Sequence, residues 1–394
     1  MKDRYDIIVV GAGPGGSNTA KAAAKAGADV LVLEKRQEIG APKRCGEGLS
    51  INGPRILGFE TSQRWCINEI WGANVIAPNG KKVTARYKEQ VGWVIERKMF
   101  DKYLAVEAAK AGADIYTRVE VTGLKVKGGY VKGVEVNRMG EIFEIDAKVV
   151  VGADGVESKV ARWYGINSTQ KLVDIDSAFQ YEMVVDLDEP DMLNLYFGND
   201  IAPRGYIWVF PKGEKVANVG IGIGGNVGKK TAKHYLDKWI AKNETLNEGA
   251  IIEVNAGGVP VGDPIDTLVG NGLMLVGDSA HQVNAIHGGG IFEASFAGRI
   301  AAKVAVDAIE KGDVSEARLS AYENEWRDIR GEILHRIYKL RKAIELLKDS
   351  DLNYLTGELT GEDVVAFANG ENLGKLTKVL MKRPNLLKAA RELR

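Results

Sequence analysis

The chain has 394 residues, a length that predicts two to three domains at about 150 residues each and excludes a small scaffold stapled by disulfides or metals. Its 53 Lys and Arg residues are balanced by 53 Asp and Glu residues, and this lack of a basic excess argues against a nucleic-acid-binding protein. Apolar residues (45 %) and charged residues (27 %) occur at ordinary globular frequencies, which excludes wholesale disorder.

The N-terminal residues predict a βαβ unit of the parallel-sheet type. We expect a short apolar strand over Tyr5–Val10, an alanine-rich helix over Ser17–Ala26 and a second apolar strand over Asp29–Leu33. A glycine-rich turn separates the first strand from the helix. Two parallel strands joined by a crossover helix are therefore expected here.

That turn matches the dinucleotide fingerprint G-x-G-x-x-G through Gly11, Gly13 and Gly16, with Gly15 inside it. The first glycine of such a motif permits the tight turn, the second lets the backbone approach a pyrophosphate, and the third lets helix and strand pack closely. Glu34 ends the second strand, where a carboxylate can accept hydrogen bonds from a ribose diol. The motif predicts a dinucleotide site that disfavours a 2′-phosphate.

The middle of the chain alternates between helical and strand-like patterns. Residues 98–111 read as a helix, and residues 114–121, 130–136 and 147–151 read as strands. Residues 171–225 then change character, with short strands parted by turn residues, which is typical of an antiparallel sheet. These strands are expected over Phe179–Val185, Leu193–Phe197, Tyr206–Phe210 and Val216–Ile223.

A period-two pattern marks the last of these strands. Gly220, Gly222 and Gly224 alternate with β-branched residues, so the three glycines are expected on one face of the sheet. Such a face either accommodates a closely packed helix or forms a smooth wall for a ligand, and we favour the wall.

The C-terminal third predicts mainly helices. A buried strand over Leu273–Val276 precedes a long helix from about Ile291 to Glu310, and residues 315–348 carry helical periodicity. The whole pattern predicts an α/β chain (α+β overall), in which a Rossmann-like domain (1–67, 93–170 and 258–310) is interrupted by an antiparallel-sheet domain (68–92 and 171–257). A helical region over 311–394 closes the chain.

Residues 375–394 contain seven Lys or Arg residues and one Glu, interleaved with leucines. This segment could lie on anionic lipid or pack as a terminal helix with a solvated basic face, and we favour the packed helix. No run of about 18 apolar residues predicts a membrane span. We therefore expect a cytoplasmic protein, with peripheral contact to membrane lipid as the open alternative.

Two cysteines, Cys45 and Cys66, make up the whole cysteine content. Their number and spacing fit neither a disulfide framework nor a Cys/His metal site, so we expect reduced thiols and no metal. Glycine is the compositional outlier at 47 residues, about 12 % against a usual value of about 7 %. This excess predicts that backbone approaches a ligand closely at several places.

Two further motifs indicate which dinucleotide cofactor the chain binds. Asp154 lies in Gly-Ala-Asp-Gly after one predicted strand, and Asp278 lies in Gly-Asp-Ser-Ala after another. Together with the first fingerprint, in this order, they resemble the FAD-binding domain of the p-hydroxybenzoate hydroxylase superfamily. The resemblance implies that Asp278 binds the ribityl chain of FAD and that Asp154 supports the pyrophosphate region.

The same resemblance implies further cofactor contacts. Arg97 corresponds to an arginine near the flavin phosphates, and Val121 to a backbone contact with adenine. Gly290 and Ile291 follow a run of glycines at the start of the long helix, where backbone N–H groups can meet the edge of the flavin. The positive end of that helix would favour anionic reduced flavin.

Two local motifs resemble the geranylgeranyl reductase family within that superfamily. One is Arg44-Cys45-Gly46-Glu47-Gly48, and the other is Pro203-x-x-Tyr206-x-Trp208-x-Phe210-Pro211. The first implies that Cys45, Gly46 and Gly48 lie beside the flavin. The second implies an aromatic wall of Tyr206, Trp208 and Phe210 for an extended apolar substrate, although an ordinary core strand would also favour aromatic residues.

The resemblance implies an FAD-dependent reductase that hydrogenates the isoprenoid double bonds of digeranylgeranylglycerophospholipids, giving saturated, phytanyl-type archaeal lipids. Hydride would come from N5 of reduced flavin, and a nearby acid must supply a proton. Cys45, His287 and Glu47 are the candidate acids. The electron donor, NAD(P)H or a ferredoxin-like protein, stays open.

Three alternatives remain at this point. The chain could be an FAD-dependent aromatic monooxygenase, because the fold alone does not decide the chemistry. It could reduce a different prenyl substrate, such as a chlorophyll precursor. It could also bind flavin or lipid without turnover, in which case it would need no acid.

Overall fold

The computed structural model describes residues 1–213, 215–227 and 230–393. Arg394, the last residue of the predicted basic segment, lies outside the described residues. So do Glu214, Gly228 and Lys229, which fall within the predicted antiparallel-sheet domain.

Strands are numbered in chain order over the described residues. They are β1 (Arg4–Val10), β2 (Val30–Glu34), β3 (Gly48–Ser50), β4 (Cys66–Ile70), β5 (Gly72–Ile76), β6 (Lys82–Arg86), β7 (Gly92–Ile95), β8 (Asp114–Thr117), β9 (Glu120–Lys127), β10 (Tyr130–Arg138), β11 (Glu141–Gly152), β12 (Ile175–Val184), β13 (Met192–Phe197), β14 (Tyr206–Pro211), β15 (Val216–Gly224), β16 (Ala250–Pro260), β17 (Val269–Gly270) and β18 (Leu273–Leu275).

The α-helices are numbered in the same way. They are α1 (Pro14–Lys25), α2 (Asn52–Leu57), α3 (Arg97–Lys110), α4 (Lys159–Tyr164), α5 (Ala232–Ile240), α6 (Glu244–Asn247), α7 (Ile291–Glu310), α8 (Glu316–Trp326), α9 (Glu332–Ile344), α10 (Asp349–Glu358), α11 (Gly361–Ala368), α12 (Leu373–Met381) and α13 (Leu387–Glu392).

The first sheet contains the predicted βαβ unit. Its strand order is β17-β18-β11-β1-β2-β8, and β1 pairs in parallel with both β11 and β2. The central strands are buried apolar runs, as expected where helices cover both faces of a parallel sheet. Helices α1 and α7 pack closely, because a Cβ on Gly298 would lie 2.5 Å from the carbonyl oxygen of Gly15. The α/β fold class is confirmed.

The predicted antiparallel sheet is present and larger than expected. Its order is β16-β12-β15-β14-β13-β5-β6, and all neighbours are antiparallel except β13 and β5. The β5–β6 hairpin comes from the segment before α3, so two distant parts of the chain build one sheet. A third, three-stranded sheet, β3-β7-β4, carries the residues that follow Cys45.

Residues from α8 to α13 form the helical C-terminal region. Helices α8 and α9 continue into one another through a π-helical turn at Arg327–Gly331, which explains the unbroken periodicity of the sequence. In the basic segment Leu376, Val379, Leu380 and Leu386 are buried in a shared apolar cluster. The segment therefore packs as the favoured interpretation predicts. No helix in the described ranges is long and apolar enough to cross a membrane.

The glycine face of β15 neither forms a smooth wall for a ligand nor packs against a helix. The indole of Trp208, from the neighbouring strand β14, lies across Gly220, where a Cβ would come within 2.3 Å of the ring. The side chain of Arg204 covers Gly224. The predicted ligand wall is therefore wrong at these positions, because the side chains of Trp208 and Arg204 occupy the space.

Replacing Gly220 by Ala should destabilise the protein, because the new methyl group must displace a buried indole. We expect a loss of about 1–3 kcal/mol in the free energy of unfolding measured in urea. Gly222→Ala is the matched control on the same strand, since its Cβ would lie 3.9 Å from Trp208, an ordinary contact. Equal stability of the two variants would contradict this packing.

Candidate active site

The glycine turn between β1 and α1 has the shape of a phosphate cradle. Gly11 has a φ of +104°, and a Cβ there would meet the carbonyl oxygen of Ala153 at 2.4 Å. A Cβ on Gly16 would lie 2.0 Å from the carbonyl oxygen of Gly11, whereas nothing lies within 4 Å of the same point on Gly13. Helix α1 begins at Pro14 without a side-chain cap, so its first N–H groups face the open side of the turn.

Glu34 closes the cradle at the end of β2. Its Oε2 accepts a hydrogen bond from the backbone N–H of Ala12 (3.1 Å), and its Oε1 accepts one from Arg36 (2.9 Å). The first bond ties the carboxylate to the glycine turn itself. Glu34 is therefore held where a hydroxyl of a ligand on the turn can reach it.

Two partly buried aspartates have spare hydrogen-bonding capacity. Oδ2 of Asp154 accepts from the N–H of Val160 (3.0 Å), whereas its Oδ1 is buried without a hydrogen-bond partner. Burial raises the pKa of Asp154. The carboxylate of Asp278 accepts no hydrogen bond from the residues that the structure describes; burial raises its pKa, while Arg97 acts in the opposite direction. A buried polar atom without a partner is rare in native proteins, so a polar ligand fits at Oδ1 of Asp154.

The start of α7 lies against Asp278. Gly290 precedes the helix, and a Cβ there would come within 3.2 Å of Oδ1 of Asp278. Ile291 is the first helical residue, as the sequence predicts. Val121 lies elsewhere, buried on β9 opposite Val136. The open glycine turn, the orphaned carboxylate oxygen and the uncapped helices together fit a dinucleotide such as FAD.

Arg97 connects the cradle to the cysteine loop, which we define as Cys45–Gly48. Its guanidinium forms a bidentate ion pair with Asp101, with two contacts of 3.0 Å. Burial alone would lower the pKa of Arg97, but Asp101 and then the adjacent Cys45 thiol raise it. The backbone N–H of Arg97 donates to Oε1 of Glu47 at 2.7 Å.

Glu47 is fully buried and has a φ of +71°, a conformation that costs a non-glycine residue about 1 kcal/mol or more. Its own N–H donates to Sγ of Cys45 at 3.2 Å. Its Oε2 lies 2.8 Å from Nζ of Lys212 and 3.2 Å from Nζ of Lys43, and it accepts from Nδ2 of Asn218 at 2.8 Å. These contacts stabilise the negative charge in a place where water cannot.

The lysines belong to a larger ion cluster of Lys43, Glu47, Glu96, Glu182 and Lys212, in which Glu96 and Glu182 are partly exposed. Lys212 also contacts Glu96 (2.8 Å) and Glu182 (2.9 Å), and Lys43 contacts Glu182. Burial alone would lower the pKa of Lys212, but the carboxylates, Glu47 first, raise it. This cluster was missed in the sequence, because its charges come from separate elements and each looks like an ordinary solvated residue.

Glu47 therefore does not fit its predicted role as a proton donor. Its carboxylate is saturated by two ammonium groups, an amide and a backbone N–H. It anchors the cysteine loop instead of presenting a proton.

The predicted aromatic row lies on one face of β14. The ring centroids of Tyr206 and Trp208 are 5.9 Å apart, and those of Trp208 and Phe210 are 6.5 Å apart. A Cβ on Gly46 would lie 3.2 Å from the ring of Phe210, and one on Gly48 would lie 3.3 Å from it. The glycines of the cysteine loop therefore allow this loop to pack directly on the aromatic row.

His287 lies at the far end of this row. Its carbonyl oxygen accepts a hydrogen bond from the hydroxyl of Tyr206 at 3.0 Å, and its Nδ1 accepts one from the N–H of Gly289 at 3.1 Å. The second bond leaves the proton on Nε2. The His287 side chain is exposed at this end of the row, and desolvation by the surrounding protein lowers its pKa. It is thus neutral near pH 7, which disfavours it as an acid.

The structure thus brings the cysteine-loop motif and the aromatic motif of β14 into contact. The cysteine loop, Arg97, the aromatic row and His287 meet beside the start of α7, and the glycine turn with Glu34 and Asp154 forms the other end of the site. The site is completed by the buried side-chain amides of Gln180 on β12 and Asn218 on β15, which lie beneath the cysteine loop.

Comparison with known proteins agrees with this geometry. Residues 4–200 match the family model of an FAD binding domain, and residues 174–259 match that of a geranylgeranyl reductase catalytic domain. A digeranylgeranylglycerophospholipid reductase of Methanosarcina acetivorans is 44 % identical, covering 91 % of this chain and 89 % of its own. One of Methanocaldococcus jannaschii is 42 % identical, covering 100 % of this chain and 99 % of its own.

Solved structures show the same architecture. A geranylgeranyl bacteriochlorophyll reductase-like protein from Thermoplasma acidophilum superposes with a TM-score of 0.91 at 37 % identity, covering 100 % of both chains. A flavin-dependent brominase, at 19 % identity and a TM-score of 0.74 over 93 % of this chain and 94 % of its own, shares the fold alone. The chain belongs to the geranylgeranyl reductase family and is an FAD-dependent oxidoreductase.

Proposed function

We propose that this protein reduces the isoprenoid C=C bonds of digeranylgeranylglycerophospholipids to give saturated, phytanyl-type membrane lipids. The observation that carries the proposal is the direct packing of the cysteine loop on the aromatic row, through Gly46, Gly48 and Phe210. It brings a flavin-side loop against an apolar surface suited to a hydrocarbon chain. Relatives that span nearly the whole chain bear the name of this activity.

FAD would be held by the segments 1–67, 93–170 and 258–310. Gly11, Gly13, Gly15 and Gly16 would receive its pyrophosphate, with Glu34 on the ribose. Asp154 and Arg97 would support the phosphates, Val121 the adenine and Asp278 the ribityl chain, with Cys45, Gly46, Gly48, Gly290 and Ile291 around the ring. When bound and reduced, FAD supplies a hydride to one alkene carbon.

The aromatic row would hold the substrate chain and exclude water from it. Each CH₂ group that leaves water for an apolar surface contributes about 0.8 kcal/mol, so a long prenyl chain needs few polar contacts. Tyr206, Trp208 and Phe210 are fixed to the sheet by mutual ring contacts and by the hydrogen bond of Tyr206 to His287. Their shape would select where along the chain the reacting bond lies.

Cys45 is the proton donor in this proposal. An isolated alkene that receives hydride at one carbon must receive a proton at the other, and the Sγ–H of Cys45 lies beside the predicted flavin position. The adjacent Arg97 would stabilise the thiolate that remains after transfer. Glu47 is neutralised by lysines, and His287 is already neutral, so both are weaker candidates.

We further propose that the protein meets its substrate at the membrane surface through charge. Leu376, Leu380 and Leu386 of the basic segment are buried and Leu387 is exposed, so its lysines and arginines would be the main groups that meet anionic headgroups. The electron donor would be NAD(P)H or a ferredoxin-like protein, with no nucleic acid involved.

The lipid reaction tests the proposal. FAD-loaded protein, reduced anaerobically with dithionite, is given a digeranylgeranylglycerophospholipid in vesicles, and the lipid is analysed by mass spectrometry. We expect a ladder of products in which each step adds two hydrogen atoms, with faster turnover on anionic than on neutral vesicles.

Dithionite and free FAD without protein are the control and should leave the lipid unchanged. An unchanged lipid with the protein present, together with NAD(P)H oxidation when an aromatic compound and oxygen are supplied, would instead indicate a monooxygenase.

Replacing Cys45 by Ala should slow saturation per bound FAD by about a hundredfold, the usual scale of a lost general acid. Cys66→Ala is the matched control: that thiol lies on β4, burial raises its pKa to about 11, and its loss should leave the rate unchanged. Initial rates are measured by mass spectrometry at equal flavin absorbance. A Cys45→Ala variant that reduces lipid at the parent rate would remove Cys45 as the acid.

A further inference from the structure

A buried glutamine on β12 contacts both halves of the site. Gln180 is 3 % exposed, and its Oε1 accepts a hydrogen bond from the indole N–H of Trp208 at 2.8 Å. Because an indole nitrogen can only donate, this bond determines which end of the amide is oxygen. The Nε2 end then donates to the carbonyl oxygen of Cys45 and to Oδ1 of Asn218, both at 3.2 Å.

Asn218, on β15, continues the same chain of hydrogen bonds. It is fully buried, and its Nδ2 donates to the carbonyl oxygen of Gly46 at 3.2 Å and to Oε2 of Glu47 at 2.8 Å. Since its Oδ1 accepts from Gln180, its orientation is also unique. One directional network thus runs from Trp208 through Gln180 and Asn218 to Glu47.

These amides set the direction of the cysteine loop. In a trans peptide the C=O and N–H groups point in opposite directions. With the carbonyls of Cys45 and Gly46 held by the sheet, the N–H groups of Gly46 and Glu47 must face away from it. The Glu47 N–H indeed donates to Sγ of Cys45 at 3.2 Å, so the anchored loop also orients the thiol.

We propose that Gln180 is a positioning residue that holds the Cys45 thiol at a fixed distance and orientation relative to the aromatic row. The inference rests on the proposed function, because it links the proton donor to the substrate wall. The Gln180 side chain is hydrogen-bonded both to the indole of Trp208 and to the backbone of Cys45, so it fixes their positions relative to each other. The distance between the acid and the reacting carbon is then set by the sheet and does not vary with the flexibility of the loop.

The reactivity of the thiol tests this without requiring turnover. In a Cys66→Ala background, FAD-loaded Gln180→Met and Gln180→Glu proteins are treated with methyl methanethiosulfonate, and adducts at Cys45 are followed by mass spectrometry. Rates are taken over a pH series and expressed per thiolate, so that the charge of Gln180→Glu does not enter through the thiol pKa. Both variants lack the amide donors to the loop, so we expect about fivefold faster modification of the thiolate, the scale of one neutral hydrogen bond. Gln180→Glu keeps the acceptor for Trp208 and carries the test should Gln180→Met not fold.

Asn74→Leu is the matched control. Asn74 is a fully buried amide on β5 of the same sheet, and it donates to Glu189 (3.0 Å) and Asn194 (2.9 Å), away from the loop. Its replacement removes comparable hydrogen bonds and should leave the Cys45 rate unchanged. An unchanged rate in the Gln180 variants, or equal acceleration in Asn74→Leu, would overturn the proposal.

Lipid reduction provides a second reading. Where the parent protein saturates lipid, the Gln180 variants should do so about fivefold more slowly at equal FAD content. A parent protein without lipid activity would defeat the proposed function and leave the thiol assay as the test of Gln180.

Discussion

The burial of one carboxylate determines how the two halves of this site meet. Glu47 is fully enclosed, and an enclosed charge is tolerated only with close partners of opposite charge and full hydrogen bonding. Lys43 and Lys212 supply the charge, and Asn218 and the backbone of Arg97 supply the hydrogen bonds. Lys212 and Asn218 come from the β14–β15 part of the antiparallel sheet, Lys43 precedes the cysteine loop and Arg97 begins α3. The cysteine loop therefore cannot leave the sheet without exposing or orphaning the charge.

From this constraint the rest of the site follows. The parallel sheet, through its glycine turn and the uncapped start of α1, builds the dinucleotide cradle, and the antiparallel sheet builds the apolar wall. Neither sheet carries out a reduction alone. The loop anchored by Glu47 brings them together, and its glycines at 46 and 48 let backbone lie against Phe210 where any larger residue would separate the two surfaces.

Apolar periodicity within a segment predicted its helices and strands, whereas contacts between side chains of separate segments were not predicted. The βαβ unit and the helix over Ile291–Glu310 follow from apolar periodicity and glycine placement within a few dozen residues. The ion cluster could not be found in this way, because Glu182 lies on β12 and Lys212 directly follows β14, positions where a charge usually faces water. The glycines of β15 were misread for the same reason: the indole of Trp208 that fills their space comes from the next strand, and only the register reveals it.

A double-mutant cycle between Glu47 and Lys212 tests the central claim most directly. The free energy of unfolding of the FAD-loaded protein is measured in urea for Lys212→Met, Glu47→Gln and the double variant. If the pair anchors the loop, each single change should cost about 3–5 kcal/mol, and the double variant should cost clearly less than their sum. Additivity within about 0.5 kcal/mol would contradict the claim, because it would mean that Glu47 and Lys212 do not stabilise each other.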